Sequence, residues 1–118
     1  MTEDNIQKAV LQWASWQKYK DGKLSDYLHH SPNGGARNPR EGAKFKAMGV
    51  KAGYPDLILD IARNGYHGLR IELKTDKGRL QASQITRLAM LNDEGYLALV
   101  CRGYDEAVGT LKSYMGIE

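Results

Sequence analysis

The chain has one cysteine, Cys101, in 118 residues. A single thiol cannot close an internal disulfide, so a disulfide scaffold and a cysteine-based zinc site are both excluded. A reducing cytoplasm suits that usage. Long hydrophobic runs are missing as well. The longest apolar stretch, Tyr96 to Cys101, has the length of a strand, far short of the roughly 20 residues that a membrane helix needs. No membrane partner is expected. Met1 to Asn5 carries Glu3 and Asp4 and lacks the basic-then-apolar pattern of a secretory signal. No internal repeat, low-complexity tract or linker stands out. With 42% hydrophobic and 26% charged residues, the composition is that of an ordinary globular protein and not of a disordered one. The expectation is a single domain over residues 1–118.

Lys plus Arg is 17 against 14 for Asp plus Glu, a net charge of +3, with a sequence pI near 9.0. That excess alone is a weak pointer to a polyanion, but its distribution says more. Between Arg37 and Lys51 there are five cations (Arg37, Arg40, Lys44, Lys46, Lys51) and one anion, Glu41. The segment is more positive than the whole chain. Arg37, Arg40, Lys44 and Lys51 fall on one helical stripe, while Phe45 and Met48 turn elsewhere. A one-sided basic stripe suits phosphate tracking; a solvated helix face is the plainer alternative.

Periodicity outlines the elements. Ile6, Val10, Trp13 and Gln17 mark an amphipathic helix from Glu3 to Tyr19 that ends at Asp21-Gly22. Leu24 to His30 is a short segment of uncertain type, a strand being one option. Ser31 to Gly35 is a loop. Asn38-Pro39 opens a second helix that ends near Met48-Gly49. Two alternating strands, Asp56–Ile61 and Leu69–Lys74, flank Asn64-Gly65, a hairpin signal. A helix from Gln81 to Glu94 stops at Gly95. Tyr96 to Arg102 reads as a strand buried on both faces, and Asp105 to Tyr114 as a closing helix. The class is mixed α/β, a small mixed β-sheet flanked by helices.

The chemistry concentrates in Pro55-Asp56, Glu72-Leu73-Lys74 and Gln84. Residues i and i+2 of a strand share a face, so Glu72 and Lys74 stand together, with Arg70 on the same side. If Asp56 on the neighbouring strand joins them, two carboxylates and an ammonium share one small volume. Crowded carboxylates call for a divalent cation, and oxygen-only ligands favour Mg²⁺ or Mn²⁺. A lysine beside them can orient a metal-bound water or stabilise a developing oxyanion. Register decides the matter. A strict two-residue Asn64-Gly65 loop continued without a bulge would pair Asp56 with Leu73 and turn it away from Glu72. The site therefore requires an odd-length loop or a bulge.

This spacing resembles the PD-(D/E)XK nuclease superfamily. Gly49 to Leu57, Ile71 to Thr75, Gly78-Arg79-Leu80, Gln84 and Gly95-Tyr96 together resemble the VRR-NUC family in its compact, virus-type form. His30 to Gly35 is similar to the loop preceding that family's core, and the resemblance runs from about Glu3 to Tyr114. It implies a metal-dependent nuclease acting on DNA, often branched DNA, with a restriction-endonuclease-like core related to Holliday-junction resolvases, and frequently a homodimer. By position it implies Asp56, Glu72, the Leu73 carbonyl and Glu3 as metal ligands, Lys74 as the catalytic lysine, and Gln84 near the scissile phosphate. The flanking strand would be held by His30, Asn33, Gly34, Gly35, Arg37, Arg40, Lys44 and Lys51. One departure is Gln81, where the family often opens the post-motif helix with Ser or Thr; the helix cap is weakened.

Plainer readings stand beside these. An acid in a first helical turn, such as Glu3, complements the helix dipole without any metal. Asp60, His29 and His67 read as surface, Trp13 and Trp16 as core or dimer contacts, and Cys101 as buried and inert. The competing functions are a DNA-binding module that does not cleave, and a nuclease subunit of a larger restriction or recombination complex.

Overall fold

Thr2 starts the first helix by accepting the Asn5 amide at 3.2 Å. In the computed structural model, which describes residues 1–32 and 38–118, this helix, α1, runs Glu3–Trp16. Ile6, Val10 and Trp13 form its buried stripe together with Ala14, while Trp16 is 69% exposed. Of the two tryptophans, only Trp13 belongs to the core. The helix stops before the expected Tyr19 because the following residues pair as a two-stranded ribbon, β1 (Lys18–Tyr19) with β2 (Gly22–Lys23). Leu24 to His30 divides into a 3₁₀ turn, Leu24–Asp26, and a strand, β3 (Leu28–His30).

The helix α2 (Pro39–Ala47) begins as its sequence suggests. The Asn38 side chain accepts from the Glu41 amide at 2.9 Å, and Pro39 opens the first turn. It buries none of its residues. The strands β4 (Leu57–Leu59), β5 (Leu69–Lys74) and β6 (Leu97–Arg102) join β3 in a four-stranded sheet of order β3-β4-β5-β6, in which only the β5–β6 pair is parallel. The helix α3 (Ala82–Asp93) connects β5 to β6, and α4 (Tyr104–Met115) closes the chain. Leu69, Ile71 and Leu73 of β5 share a core with Ile6 and Val10 of α1 and with Ala107 and Leu111 of α4. Full two-faced burial belongs to β5, not to β6. β6 is the sheet edge, and only its Ala98 and Cys101 are buried.

The hairpin between β4 and β5 meets the register requirement with a tight turn and a bulge together. Asn64 and Gly65 both have positive φ (55° and 84°), and Arg63 and Tyr66 exchange backbone hydrogen bonds of 3.2 and 2.8 Å. That is a two-residue loop. Beyond it, Asp60, Ile61 and Ala62 separate Leu59 from Arg63, whereas only His67 and Gly68 separate Tyr66 from Leu69. The extra residue shifts the ladder by one, so Leu57 pairs with Ile71. One step further, Asp56 stands opposite Glu72.

Two contacts seat α3 against this hairpin. Arg102 Nη1 donates to the carbonyls of Thr75 (3.0 Å) and Gly78 (2.7 Å), which fixes the segment leading into the helix. Gly53 (φ +75°) presses on the first turn of α3, and a Cβ there would collide with the Ser83 carbonyl. Gly53→Ala therefore combines a forbidden backbone angle with a clash. The expected loss is about 1–3 kcal/mol of stability, read as a lower urea midpoint.

Candidate active site

Three charged residues lie on the second face of β5, and burial makes them unusual. Arg70, Glu72 and Lys74 are 8%, 1% and 6% exposed. Such side chains are almost never buried without partners. Arg70 has its own: its guanidinium lies 4.4 Å from the Tyr96 ring centre, and its Nε donates to the Tyr54 hydroxyl at 3.2 Å. The contact ties β5 to the residue just before Pro55-Asp56.

Glu72 is less completely matched. Its Oε2 accepts from Gln84 Nε2 at 3.2 Å and lies 3.8 Å from Lys74 Nζ. Its Oε1 is buried with no hydrogen-bond partner among the described residues. The Gln84 amide cannot turn freely to help, because its Oε1 already accepts from the Gln81 amide at 2.8 Å. The backbone bond of Gln81 thus aims a donor at Glu72, even though the Gln81 side chain makes no cap bond. Asp56, across the ladder, accepts the Leu73 amide on Oδ2 at 2.7 Å. Burial, the facing Asp56 carboxyl and, more remotely, Glu3 push the Glu72 carboxyl up to about 8, against the pull of Lys74.

These groups border a cavity of about 410 Å³. Asp56, Glu72, Leu73 and Gln84 line it together with Glu3, Gln7 and His30. The Leu73 side chain is in the core, so its backbone supplies the lining. His30 Nδ1 is 3.0 Å from the Asp56 carbonyl. That oxygen can only accept, so Nδ1 donates in this contact. The cavity combines hard oxygen ligands with a buried Glu72 oxygen lacking a donor, and the Lys74 ammonium lies 3.8 Å from the other Glu72 oxygen. This donor set fits a divalent cation.

Not every expected residue takes the place assigned to it. Glu3 shares the cavity, but no cluster of three His, Cys, Asp or Glu groups able to hold a metal forms among the described residues. The basic stripe is not one helix face. Arg40 and Lys44 are exposed on α2, whereas Lys51 lies in the loop after it, past Gly49 with φ +95°. Asn33, Gly34, Gly35 and Arg37 lie outside the described residues. Asp60 pairs with His29 at 3.3 Å on the surface, away from the cavity. Gln7 and Tyr54 escaped the sequence reading. The spacing of Glu3 and Gln7, one helical turn apart, could have revealed Gln7.

The family model for the VRR-NUC domain matches residues 1–105. A solved structure titled "VRR_NUC domain protein" superposes with a TM-score of 0.88 at 47% identity, covering 100% of this chain and 91% of the other. No curated protein matches. The chain belongs to the VRR-NUC family. Its fold is that of a VRR-NUC domain, a nuclease-type domain, and the structural match includes α4, most of which lies beyond the family model.

The raised Glu72 carboxyl couples the stability of this VRR-NUC domain to pH. A carboxyl that titrates near 4.5 when unfolded and near 8 when folded leaves the folded state holding the extra proton between those values. Metal-free stability is then complete below about pH 4.5 and falls as the pH rises towards 8. The expected loss is on the order of a few kcal/mol. Thermal melts in EDTA at pH 6 and pH 8 measure it, and Glu72→Gln should flatten the dependence.

Proposed function

We propose that this protein is a Mg²⁺- or Mn²⁺-dependent endonuclease that hydrolyses DNA phosphodiesters, with a preference for branched or junction DNA. The observation that carries this reading is the pairing of Asp56 with Glu72 across the bulged hairpin, with one buried Glu72 oxygen lacking a donor and Lys74 alongside. Asp56, Glu72 and the Leu73 backbone would hold the cation, with Glu3 reaching it through water. When bound, the cation polarises a phosphate oxygen and lowers the pKa of a water. Lys74 places a positive charge where the transition state gathers negative charge. Gln84 keeps Glu72 in position and offers its edge to the phosphate. His30 Nε2 can accept a proton or hydrogen bond from the attacking water. Arg40, Lys44 and Lys51, all exposed, would hold the flanking strand by its phosphates.

Cutting both strands of a symmetric junction needs two such sites, and a two-fold homodimer supplies them. Light scattering at micromolar concentration should give twice the monomer mass. A monomer would count against junction resolution and leave nicking in place.

The decisive assay uses supercoiled plasmid with Mn²⁺, Mg²⁺ or EDTA, followed by a panel of flaps, forks, four-way junctions and plain duplex. Nicking should require the metal. Lys74→Ala should slow it by about 10²–10⁴-fold, and Asp56→Asn should abolish it. DNA retained in a gel shift with no nicking under any metal would instead identify a binding module.

A further inference from the structure

Beside the carboxylate cavity lies a second, larger one of about 560 Å³, between α2, the loop after it and the first turn of α3. Its lining is mainly apolar: Phe45, Val50, Ala52 and the Gly53 backbone. Lys46 and Lys51 stand at its rim, both exposed. Gln84 borders both cavities. Phe45 is half-buried on a helix that buries none of its residues, so the ring is not there to complete the core.

We propose that this cavity receives one unpaired nucleobase of a DNA strand, the nucleotide next to the scissile phosphate, with Phe45 as its stacking surface and Lys46 and Lys51 on its backbone. The proposal rests on the nuclease reading above and adds a substrate feature to it. An aromatic face inside a cationic rim is the combination that binds single-stranded nucleic acid without strong sequence choice. The cavity has room for a nucleotide, and the shared Gln84 places it one short step from Glu72. A base stacked and paired in duplex cannot enter a cavity unless it leaves the helix. Unpaired nucleotides at flaps, forks and junction points enter without that cost. Charge argues against a second copy as the occupant. A two-fold contact would set Arg40, Lys44, Lys46 and Lys51 against the same cations of the other copy, with Glu41 the only anion among them.

The test is equilibrium binding in Ca²⁺ of a fluorescent splayed fork. Forks are compared that are intact or carry a single abasic residue at successive positions in the unpaired arms. For the wild type, one abasic position beside the branch should weaken binding roughly tenfold. Phe45→Ala should weaken the intact fork by a similar factor and lose sensitivity to that abasic position, while its affinity for plain duplex stays unchanged. Phe45→Tyr should restore both affinity and sensitivity, which separates stacking from misfolding. Equal abasic penalties in wild type and Phe45→Ala, or no penalty at any position, would overturn the proposal. So would a Phe45→Ala protein that changes mass in light scattering while keeping its abasic sensitivity, because the cavity would then belong to an interface between copies. Base-dependent binding with no cleavage of any DNA would refute the nuclease reading alone. Cleavage of forks with no base dependence would refute this proposal alone.

Discussion

A single extra residue between Leu59 and Arg63 sets the relation of the two strands that matter most. The turn at Asn64-Gly65 would by itself align Asp56 with Leu73, sending the aspartate to the helix-packed core. The bulge moves every pair by one. Leu57 and Leu59 then share the core with Ile71 and Leu69, and Asp56 meets Glu72 on the opposite face. Apolar burial and acid pairing follow from the same shift, so the core that stabilises the sheet also enforces the crowded carboxylates. A one-residue slip of β4 would turn Leu57 and Leu59 out of the core while separating the acids.

The rest of the fold surrounds that pair and leaves it incomplete. Arg70 is satisfied by Tyr54 and Tyr96, and Asp56 accepts the Leu73 amide where β4 ends. Gln84, oriented by the Gln81 amide, and Lys74 both approach the same oxygen of Glu72. Its other oxygen stays buried without a donor. Ionising a buried carboxyl in that condition is costly, and a cation in the neighbouring cavity would offset that cost. Under the proposed function, stability without metal would be given up for a prepared site, a balance that functional sites commonly strike.

Much of this was legible in the sequence, and the reasons differ by residue. Long periodic helices with clear punctuation, such as α3 with Gly95 after it and α2 with Asn38-Pro39 before it, were read nearly to their ends. Asp56, Glu72, Lys74 and Gln84 form too short a pattern to stand out alone; the resemblance singles them out, and the structure brings them together around the Glu72 carboxyl. Register was not legible, because a bulge in Asp60-Ile61-Ala62 carries no glycine to announce it. The two-faced burial of β5 was hidden by its alternating pattern: Arg70, Glu72 and Lys74 look like a solvent face, yet Arg70 packs on Tyr96 and Tyr54 and Glu72 meets Gln84 of α3. The hydrophobicity of β6 pointed to a centre strand, although it lies at the sheet edge. The cavity beside Phe45 depends on a loop folding back onto α3 through Gly53, a tertiary contact that local periodicity does not encode.

The most direct measurement is anomalous diffraction from crystals grown with Mn²⁺. If the facing carboxylates are the cation site, the strongest anomalous peak lies between Asp56, Glu72 and the Leu73 carbonyl, within about 2.2 Å of their oxygens, and Glu72 Oε1 is one of its ligands. A peak elsewhere, or none with Glu72 still unpartnered at high Mn²⁺, contradicts it.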